Sequence, residues 1–258
     1  MTVFVNHKIA SQLSKLIDDI VIPLPSYEKL DLPVNSHADM LMSVIDDRVF
    51  VYKDYYEQNR EVFDSIKDHT IVQSSHVCNK NYPNDIGLNV LVMGKKIFCN
   101  SKFVAKELLD FAVKKDYKII DVKQGYSCCS ALSLDGTHAI TTDYGMYKAL
   151  QKEAVSALLI SSDEITLDGY NCGFIGGSGG IIKNKVIFFG DIKNHKDYVK
   201  IKCYLDELNF EILSLFPGGV SDFGGFKAIW IFKTKWNADH IRIFLIKMKK
   251  FNLKVLVI

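Results

Sequence analysis

Apolar residues recur along the chain as a repeating order of short runs and helical stripes. Five segments have the periodicity of amphipathic helices, at 8–20, 56–67, 102–115, 145–155 and 194–209. Apolar runs precede these helices at 3–5, 49–51, 97–98, 139–140 and 186–189, and another run follows each helix. Upstream of four of the helices lies one more extended stretch. The repeating unit is therefore predicted to be strand, strand, helix, strand.

A four-residue box at the start of each unit carries polar side chains. The boxes are residues 36–39, 84–87, 126–129, 170–173 and 221–224, and their second positions are 48, 42, 44 and 51 residues apart. Joining residue 229 to residue 1 gives a further spacing of 44 residues. We therefore expect the strand at 225–229 and the N-terminal strand and helix to form a fifth unit that closes a ring. Closure removes the exposed sheet edges that promote aggregation.

Four stretches of the chain resemble a known α/β fold. They are Tyr82-Pro83-Asn84-Asp85, Gln124-Gly125-Tyr126-Ser127, Gly169 to Gly177 and Pro217 to Gly225. Over residues 1–229 the sequence resembles the pentein, or guanidino-group-modifying enzyme, fold, which implies a five-bladed α/β propeller of ββαβ units around a pseudo-fivefold axis. More narrowly, it is similar to a branch of that fold found in clostridia-like bacteria. An ordinary α/β sandwich is the alternative.

The box residues suggest a polar site around the axis of the predicted ring. Side chains alternate along a strand, so the second and fourth box positions are expected to face the same way. Among the fourth positions, Asp39 and Cys129 stand where the other boxes have glycine. A cysteine beside a histidine can be held as the nucleophilic thiolate, and paired carboxylates suit a guanidinium group. The candidate catalytic residues are Cys129, His37 and Asp39, and the candidate substrate-binding residues are Asp85, Ser127, Asn171 and Asp222.

The resemblance supports this chemistry only in part. In the family enzymes a cysteine attacks the guanidino carbon, the histidine of a His-x-Asp motif moves protons, and acidic residues hold the substrate. His37-Ala38-Asp39 has the form of that motif, and Asp85 stands where those enzymes hold substrate. However, their cysteine lies in the final box, which here is Ser221 to Gly224, and their His-x-Asp lies one unit earlier. The family's catalytic set therefore does not transfer residue by residue.

Two functions remain open at this point. The chain is either a cysteine-dependent hydrolase or transferase that acts on the C–N bond of a small guanidino or amidino compound, or a non-catalytic binding protein. Such a binding protein would hold a small cationic ligand in the polar axial cleft or a macromolecular partner on its outer face. The same fold includes a ribosome-binding factor, so the fold alone does not decide. Cys129 as a small core residue, His37 as a structural histidine, and Asp39 and Asp85 as turn formers are the alternatives to site roles. Cys128 is expected to point away from the site into the core.

Composition and charge divide the chain into two parts. The 258 residues are 48% hydrophobic and 24% charged, as in an ordinary globular protein, with a net charge of +2. Residues 230–258 contain seven Lys or Arg and the single acid Asp239, a net +6, which leaves −4 for residues 1–229. An acidic ring suits a cationic ligand. We thus expect a domain at 1–229 and a basic extension at 230–258.

The extension is predicted to form a helix at 237–250 and a strand at 253–258. The extension either packs against the rest of the chain or forms a homodimer contact. Nucleic-acid or membrane binding has weak support, because the extension contains only a few basic residues. The chain contains no CxxC pair, no opening signal-peptide pattern and no apolar run of membrane-spanning length. We expect a cytoplasmic protein with reduced cysteines and no metal or other cofactor.

Overall fold

The fold repeats one arrangement of three strands and a helix. The structure is a computed structural model and describes residues 1–64, 66 and 69–229. The strands are β1 (Thr2–Asn6), β2 (Ile20–Leu24), β3 (Met42–Ile45), β4 (Arg48–Tyr52), β5 (Thr70–Ser74), β6 (Leu91–Met93), β7 (Lys96–Cys99), β8 (Lys118–Asp121), β9 (Ala131–Ser133), β10 (His138–Thr141), β11 (Ser156–Leu159), β12 (Ile165–Thr166), β13 (Gly179–Ile182), β14 (Lys185–Phe188), β15 (Glu211–Ser214), β16 (Val220–Ser221) and β17 (Phe226–Ile229). The helices are α1 (Ala10–Leu16), α2 (Ala38–Leu41), α3 (Lys53–Gln58), α4 (Arg60–Phe63), α5 (Lys106–Lys114), α6 (Ser127–Ser130), α7 (Tyr144–Lys152) and α8 (Tyr198–Glu207).

Five mixed sheets of three strands share one topology. In the sheet β3-β4-β5 the first two strands are antiparallel and the last two are parallel. The sheets β6-β7-β8, β9-β10-β11 and β13-β14-β15 repeat this order and these directions. The connection between the two parallel strands contains α3 and α4, α5, α7 and α8 in turn. The predicted α/β unit of strand, strand, helix, strand is thus confirmed.

The two ends of the described chain form the fifth unit. Strand β1 pairs antiparallel with β17, with Val3 opposite Ala228, and parallel with β2, with Val3 opposite Val21. Helix α1 connects β1 to β2. The pairing expected from the spacing across residues 229 and 1 is therefore present. A two-stranded parallel sheet, β12-β16, is separate from the five units, and the sheets do not merge into one closed barrel.

The middle strand of each unit is buried because sheet neighbours and helices cover it. All five residues of β1 are buried, and in β4 only Arg48 is partly exposed. Strands covered on both faces are continuous apolar runs in the sequence, and these runs are therefore its clearest strand signal. The helices contribute one face each, as α5 does with Leu108 and Ala112. Asp143 caps α7 by accepting a hydrogen bond from the Met146 N–H at 2.6 Å.

The first strands of all five units contribute to the wall of one cavity of about 350 Å³. Its lining includes Val44 of β3, Val92 of β6 and Leu132 of β9, together with residues of β13 and β17. The polar boxes lie just before these first strands. The backbone of the boxes at 36–39 and 126–129 is largely helical rather than extended, in α2 and α6, and the box at 84–87 lies mostly in turns. The expectation that box side chains alternate as they do in strands is therefore wrong.

Two further expectations concern the ends and surroundings of the chain. The basic extension, with its helix at 237–250 and strand at 253–258, lies outside the described residues, and so does the homodimer contact assigned to it. Within the described part, none of the helices combines the length and the apolar character needed to cross a membrane.

We predict that the N-terminal helix is essential for the stability of the whole domain. Leu13 of α1 has no exposed surface and lies in a core cluster with Val5, Ile187 and Phe189. Leu13→Ala should lower the free energy of unfolding by about 3–5 kcal/mol, because it leaves a cavity between two units. Leu32→Ala is the matched control, since Leu32 is 81% exposed, and should change stability by less than about 0.5 kcal/mol. Urea unfolding measures both, and equal effects would contradict the closed fifth unit.

Candidate functional site

Most of the candidate residues converge because each precedes a first strand of a unit. His37 and Asp39 begin α2, which leads into β3, and Asp85 lies in the turn before β6. Cys129 lies in α6, just before β9, and Asp222 lies in the turn before β17. A backbone hydrogen bond holds two of these segments together: the Asp39 N–H donates to the Gly224 carbonyl at 3.1 Å.

His37 and Asp222 form a buried pair. Nδ1 of His37 lies 3.6 Å from Oδ1 of Asp222, and both side chains are almost fully buried. Burial lowers the pKa of His37 to about 4, so the imidazole is neutral at pH 7. Burial and the nearby Asp39 carboxylate raise the pKa of Asp222 to about 7. Asp222 also accepts hydrogen bonds from the Phe174 and Gly224 N–H groups, each at 2.9 Å.

Glycine is required where the backbone passes this pair. Gly224 has φ +81°, and a Cβ there would clash with the backbone and Cβ of His37. A Cβ at Gly177 would clash with the carboxylate of Asp222. The two glycines therefore allow the chain to pack directly against the acid and the imidazole, as expected for glycine beside a ligand site.

Cys129 lies beside two of the acidic residues, Asp39 and Asp222. The residue is only 5% exposed, and its Sγ accepts a hydrogen bond from Nδ2 of Asn89 at 2.9 Å. Burial and the carboxylates of Asp39 and Asp222 raise the pKa of Cys129 well above its usual value. The resting group is a thiol, so the expected thiolate held by a neighbouring imidazole is wrong.

Asn89 is a site residue that the sequence reasoning missed. Besides binding Cys129, its Nδ2 donates to the Asp39 carbonyl at 3.1 Å, and its Oδ1 accepts from the Cys128 N–H at 2.8 Å. Asn89 thereby ties α2 to α6. A fully buried asparagine inside the apolar run 86–93 was the available signal, because a polar side chain there needs internal partners.

Two of the carboxylates have oxygens with no hydrogen-bond partner among the described residues. Both Oδ atoms of Asp39 are buried in this state, and Asp39 is only 1% exposed. Asp85 accepts a hydrogen bond from the Tyr126 O–H at 2.6 Å through Oδ2, while its Oδ1 is buried without a partner. Chiefly because of burial, the pKa of Asp85 is raised. Buried acceptors left in this way mark a place for donors supplied from outside the protein.

Aromatic rings surround Asp85 and form what we call the aromatic cleft, defined by Tyr82, Tyr126, Tyr170 and Phe174. Tyr126 lies between Tyr82 and Phe174, with ring centroids 5.8 Å and 6.1 Å away. Tyr82 and Tyr170 are 52% and 48% exposed, so the cleft reaches solvent. Burial, Asp31 and Asp85 raise the pKa of Tyr170, which places this ring beside two carboxylates. An aromatic and acidic entrance favours a cation.

Cys128, in contrast to the expectation, does not point into the core. It is partly exposed and lines the cavity between the first strands, where its Sγ accepts a hydrogen bond from Nζ of Lys227 at 2.9 Å. In a helical turn consecutive side chains diverge by about 100°, so the strand alternation predicted for the box gave the wrong direction for Cys128. Lys227 was not anticipated, since a lone lysine in a short strand normally faces solvent.

Two of the predicted binding residues are placed differently from the rest. Ser127 is buried, but its hydroxyl donates to the Gln124 carbonyl at 2.8 Å and so closes the turn before α6. Asn171 is exposed on the loop between β12 and β13, away from the buried acids. The box predicted at 170–173 lies about five residues before the segment that corresponds to the other boxes. That segment is the 3-10 helix Gly176–Ser178, which leads directly into β13. The binding roles of Ser127 and Asn171 stay predictions.

The opposite pKa shifts of His37 and Asp222 predict opposite pH dependences of stability. Asp222 keeps its proton in the folded state up to about pH 7, whereas the unfolded chain releases it near 3.8, so its contribution is lost as pH rises between these values. His37 is neutral when folded down to about pH 4, whereas the unfolded chain is protonated below 6.5, so its contribution is lost as pH falls.

Urea unfolding of the wild type, Asp222→Asn and His37→Gln between pH 4.5 and 6.5 tests this prediction. Relative to wild type, the stability of Asp222→Asn should rise with pH by about 1.4 kcal/mol per unit, and that of His37→Gln should fall with a similar slope. Parallel curves for all three proteins would show that the buried pair does not carry these shifts.

Solved structures of guanidino-group-modifying enzymes are similar to this chain. Agmatine deiminase from C. jejuni matches with 10% identity and a TM-score of 0.52, over 83% of this chain and 87% of that chain. The DDAH from Pseudomonas aeruginosa, in a cysteine-to-serine mutant complexed with citrulline, matches with 9% identity and a TM-score of 0.52, over 83% and 91%. At these identities the likeness shows the fold, and the resemblance to penteins is confirmed.

Comparison with sequences adds one finding. No curated protein matches the chain. The model of a family described as a family of unknown function, DUF6873, matches residues 4–226, which include every residue of the site described above. The match covers most of the chain, and the chain therefore belongs to the DUF6873 family.

Proposed function

We propose that this protein binds a small guanidino or amidino compound as a cation and cleaves a C–N bond of that compound with Cys129. The observation that carries the proposal is the set of unpartnered carboxylate oxygens on Asp39 and Asp85. Asp39 lies beside the Cys129 thiol, and Tyr126, which binds Asp85, also lies near that thiol. A guanidinium or amidinium offers planar N–H donors in pairs, which match carboxylates better than a point charge does. Burying these acids is costly without such a partner.

The ligand in this proposal enters through the aromatic cleft. Its cationic group lies against the ring of Tyr126 and donates to Asp85, whose Oδ1 needs a donor. Cation–π attraction and charge-assisted hydrogen bonds then act together, and both gain strength where water is excluded. Asp39 receives the remaining N–H groups nearer to the sulfur.

Binding a cation beside the sulfur would also activate it. The neighbouring acids now raise the pKa of Cys129, and a bound positive charge opposes that effect. The thiol proton passes to Asp39, and the thiolate attacks the amidine carbon to form a C–S bond. The C–N bond then breaks as Asp39 returns the proton to the departing amine, and water releases the product from sulfur. His37 has an indirect role in this proposal: its Nδ1 lies 3.6 Å from Oδ1 of Asp222 and positions that carboxyl group.

We infer that the five units are arranged around one axis as the blades of a propeller, with the boxes at one end of that axis. The cavity lined by all five first strands and the pairing of β1 with β17 support this arrangement.

A non-catalytic binding protein is the second candidate. The low exposure of Cys129 and its raised pKa favour this alternative, because a buried thiol is a poor nucleophile. Both candidates need the same acidic cleft, so only the reactivity of the sulfur separates them.

We expect chloroacetamidine, a cationic electrophile, to alkylate Cys129 at least about tenfold faster than its neutral isostere chloroacetamide does. Peptide mass mapping measures each cysteine separately. The exposed Cys172 and Cys203 serve as internal references that remove the intrinsic difference between the two reagents. Asp85→Asn should abolish the preference at Cys129 and leave the references unchanged.

The same experiment gives clear contrary outcomes. If both reagents modify only Cys172 and Cys203, while methylguanidine still binds in calorimetry and loses affinity in Asp85→Asn, the protein is a binder rather than an enzyme. If methylguanidine does not bind and Cys129 shows no preference, the proposal of a guanidino site is wrong.

A further inference from the structure

The cavity between the first strands holds polar groups that the proposed reaction at Cys129 does not use. Of the described residues in its wall, only Asp39 and Lys227 have charged side chains. Cys128 interacts with both, since its Sγ accepts a hydrogen bond from Lys227 and Asp39 is close enough to raise its pKa. Cys129, His37, Asp85 and Asp222 are not in this wall. The cavity is therefore a second compartment that meets the acidic site at Asp39 and Gly224.

The polar groups of the cavity come from three different elements. Asp39 is on α2, Cys128 is on α6 and Lys227 is on β17. Burial lowers the pKa of Lys227, but the nearby Asp39 carboxylate raises it, so the amine is a charged ammonium. Burial raises the pKa of the Cys128 thiol despite Lys227, so this sulfur adds no negative charge at pH 7. The described wall of the cavity thus contains one acid and one base.

The unmet hydrogen bonds at this end define what a ligand has to offer. Asp39 has two buried oxygens that need donors. The Lys227 ammonium has three N–H groups, and one of them is bound to Cys128, so the others need acceptors. A group that donates N–H bonds at one side and accepts at the other satisfies both without adding net charge. The positive charge of an amidinium would be repelled by Lys227, and the negative charge of a carboxylate would be repelled by Asp39.

The rest of the wall is suited to an apolar group. Apolar residues of all five first strands are part of it, namely Val44, Val92, Leu132, Ile181 and Phe226, and glycines also line it. A volume of about 350 Å³ is within the range of small-molecule sites, which combine an apolar surface with a few polar groups.

We propose that this axial cavity binds a small neutral amide, either a carboxamide or a ureido compound, with its NH₂ group at Asp39, its carbonyl oxygen at Lys227 and its alkyl group between the strands. The site is distinct from the proposed guanidino site and does not depend on Cys129. A neutral head follows from the balance of Asp39 against Lys227, and an alkyl substituent follows from the apolar wall.

Three isosteric probes test the head group on the full chain. Pentanamide, pentanamidine and pentanoate have the same alkyl group and differ only in charge and hydrogen bonding. Calorimetry should detect saturable binding of pentanamide that weakens about tenfold or more in Lys227→Met, which keeps the length of the stem but removes the charge. In the same variant, methylguanidine should still bind and Cys129 should still react faster with chloroacetamidine than with chloroacetamide, which separates this inference from the proposed function.

Protection of Cys128 locates the binding. Pentanamide should slow the alkylation of Cys128 by chloroacetamide, with no effect at the exposed Cys203. Ser133→Leu, which narrows the cavity, should remove both the binding and the protection without altering Lys227. Absence of saturable pentanamide binding, equal affinity in wild type and Lys227→Met, or tighter Lys227-dependent binding of pentanoate would each overturn the assignment.

Discussion

The antiparallel pairing of β1 with β17 is the contact on which the site depends. It joins the two ends of the described chain and so places the turn at 222–225 against the units formed by the middle of the sequence. Asp222 thereby reaches His37, the Gly224 carbonyl receives the Asp39 N–H, and Lys227 reaches Cys128. Each of these partners is far away in sequence. These contacts at the site therefore form only when β1 and β17 are paired. The same strand pairing supports both the fold and the geometry of the site.

The centre concentrates acids where burial makes them expensive. Asp39 and Asp222 both raise the pKa of the same sulfur, and Asp39 adds to the burial effect at Asp222. A structural core has no need for such a cluster, because well-packed apolar residues would be at least as stable. Shifted ionisable groups with unmet hydrogen bonds instead characterise sites where a ligand completes the arrangement. The glycines at 177 and 224 point the same way, since they bring backbone against the acids instead of side chains that would separate them.

The sequence predicted the units well and the orientation of their polar residues poorly. Middle strands such as β1 and β4 are continuous apolar runs, and the interval between polar boxes predicted that the chain ends form a unit. The convergence of His37, Asp39, Cys129 and Asp222 also followed from this repeat. The repeat could not reveal that the boxes are turns and short helices, so Cys128 was expected in the core although it lines the cavity. Asn171 was likewise predicted as a site residue, although the glycine-rich turn that corresponds to the other boxes lies five residues later. The residues around Asn89 and Lys227 in the sequence gave no sign that these two side chains bind the cysteines.

Asp39 belongs to both compartments, and this gives the two proposed sites a physical connection. Its carboxylate has two oxygens and no hydrogen-bond partner among the described side chains, so a cation near Cys129 and an amide near Lys227 draw on the same acceptor. A donor bound on one side also reduces the negative charge felt on the other. Any change in affinity that one ligand causes must be matched by an equal change caused by the other, because coupling between binding sites is reciprocal. Competition for one buried carboxylate predicts that this coupling is negative, and it requires no movement of the five units.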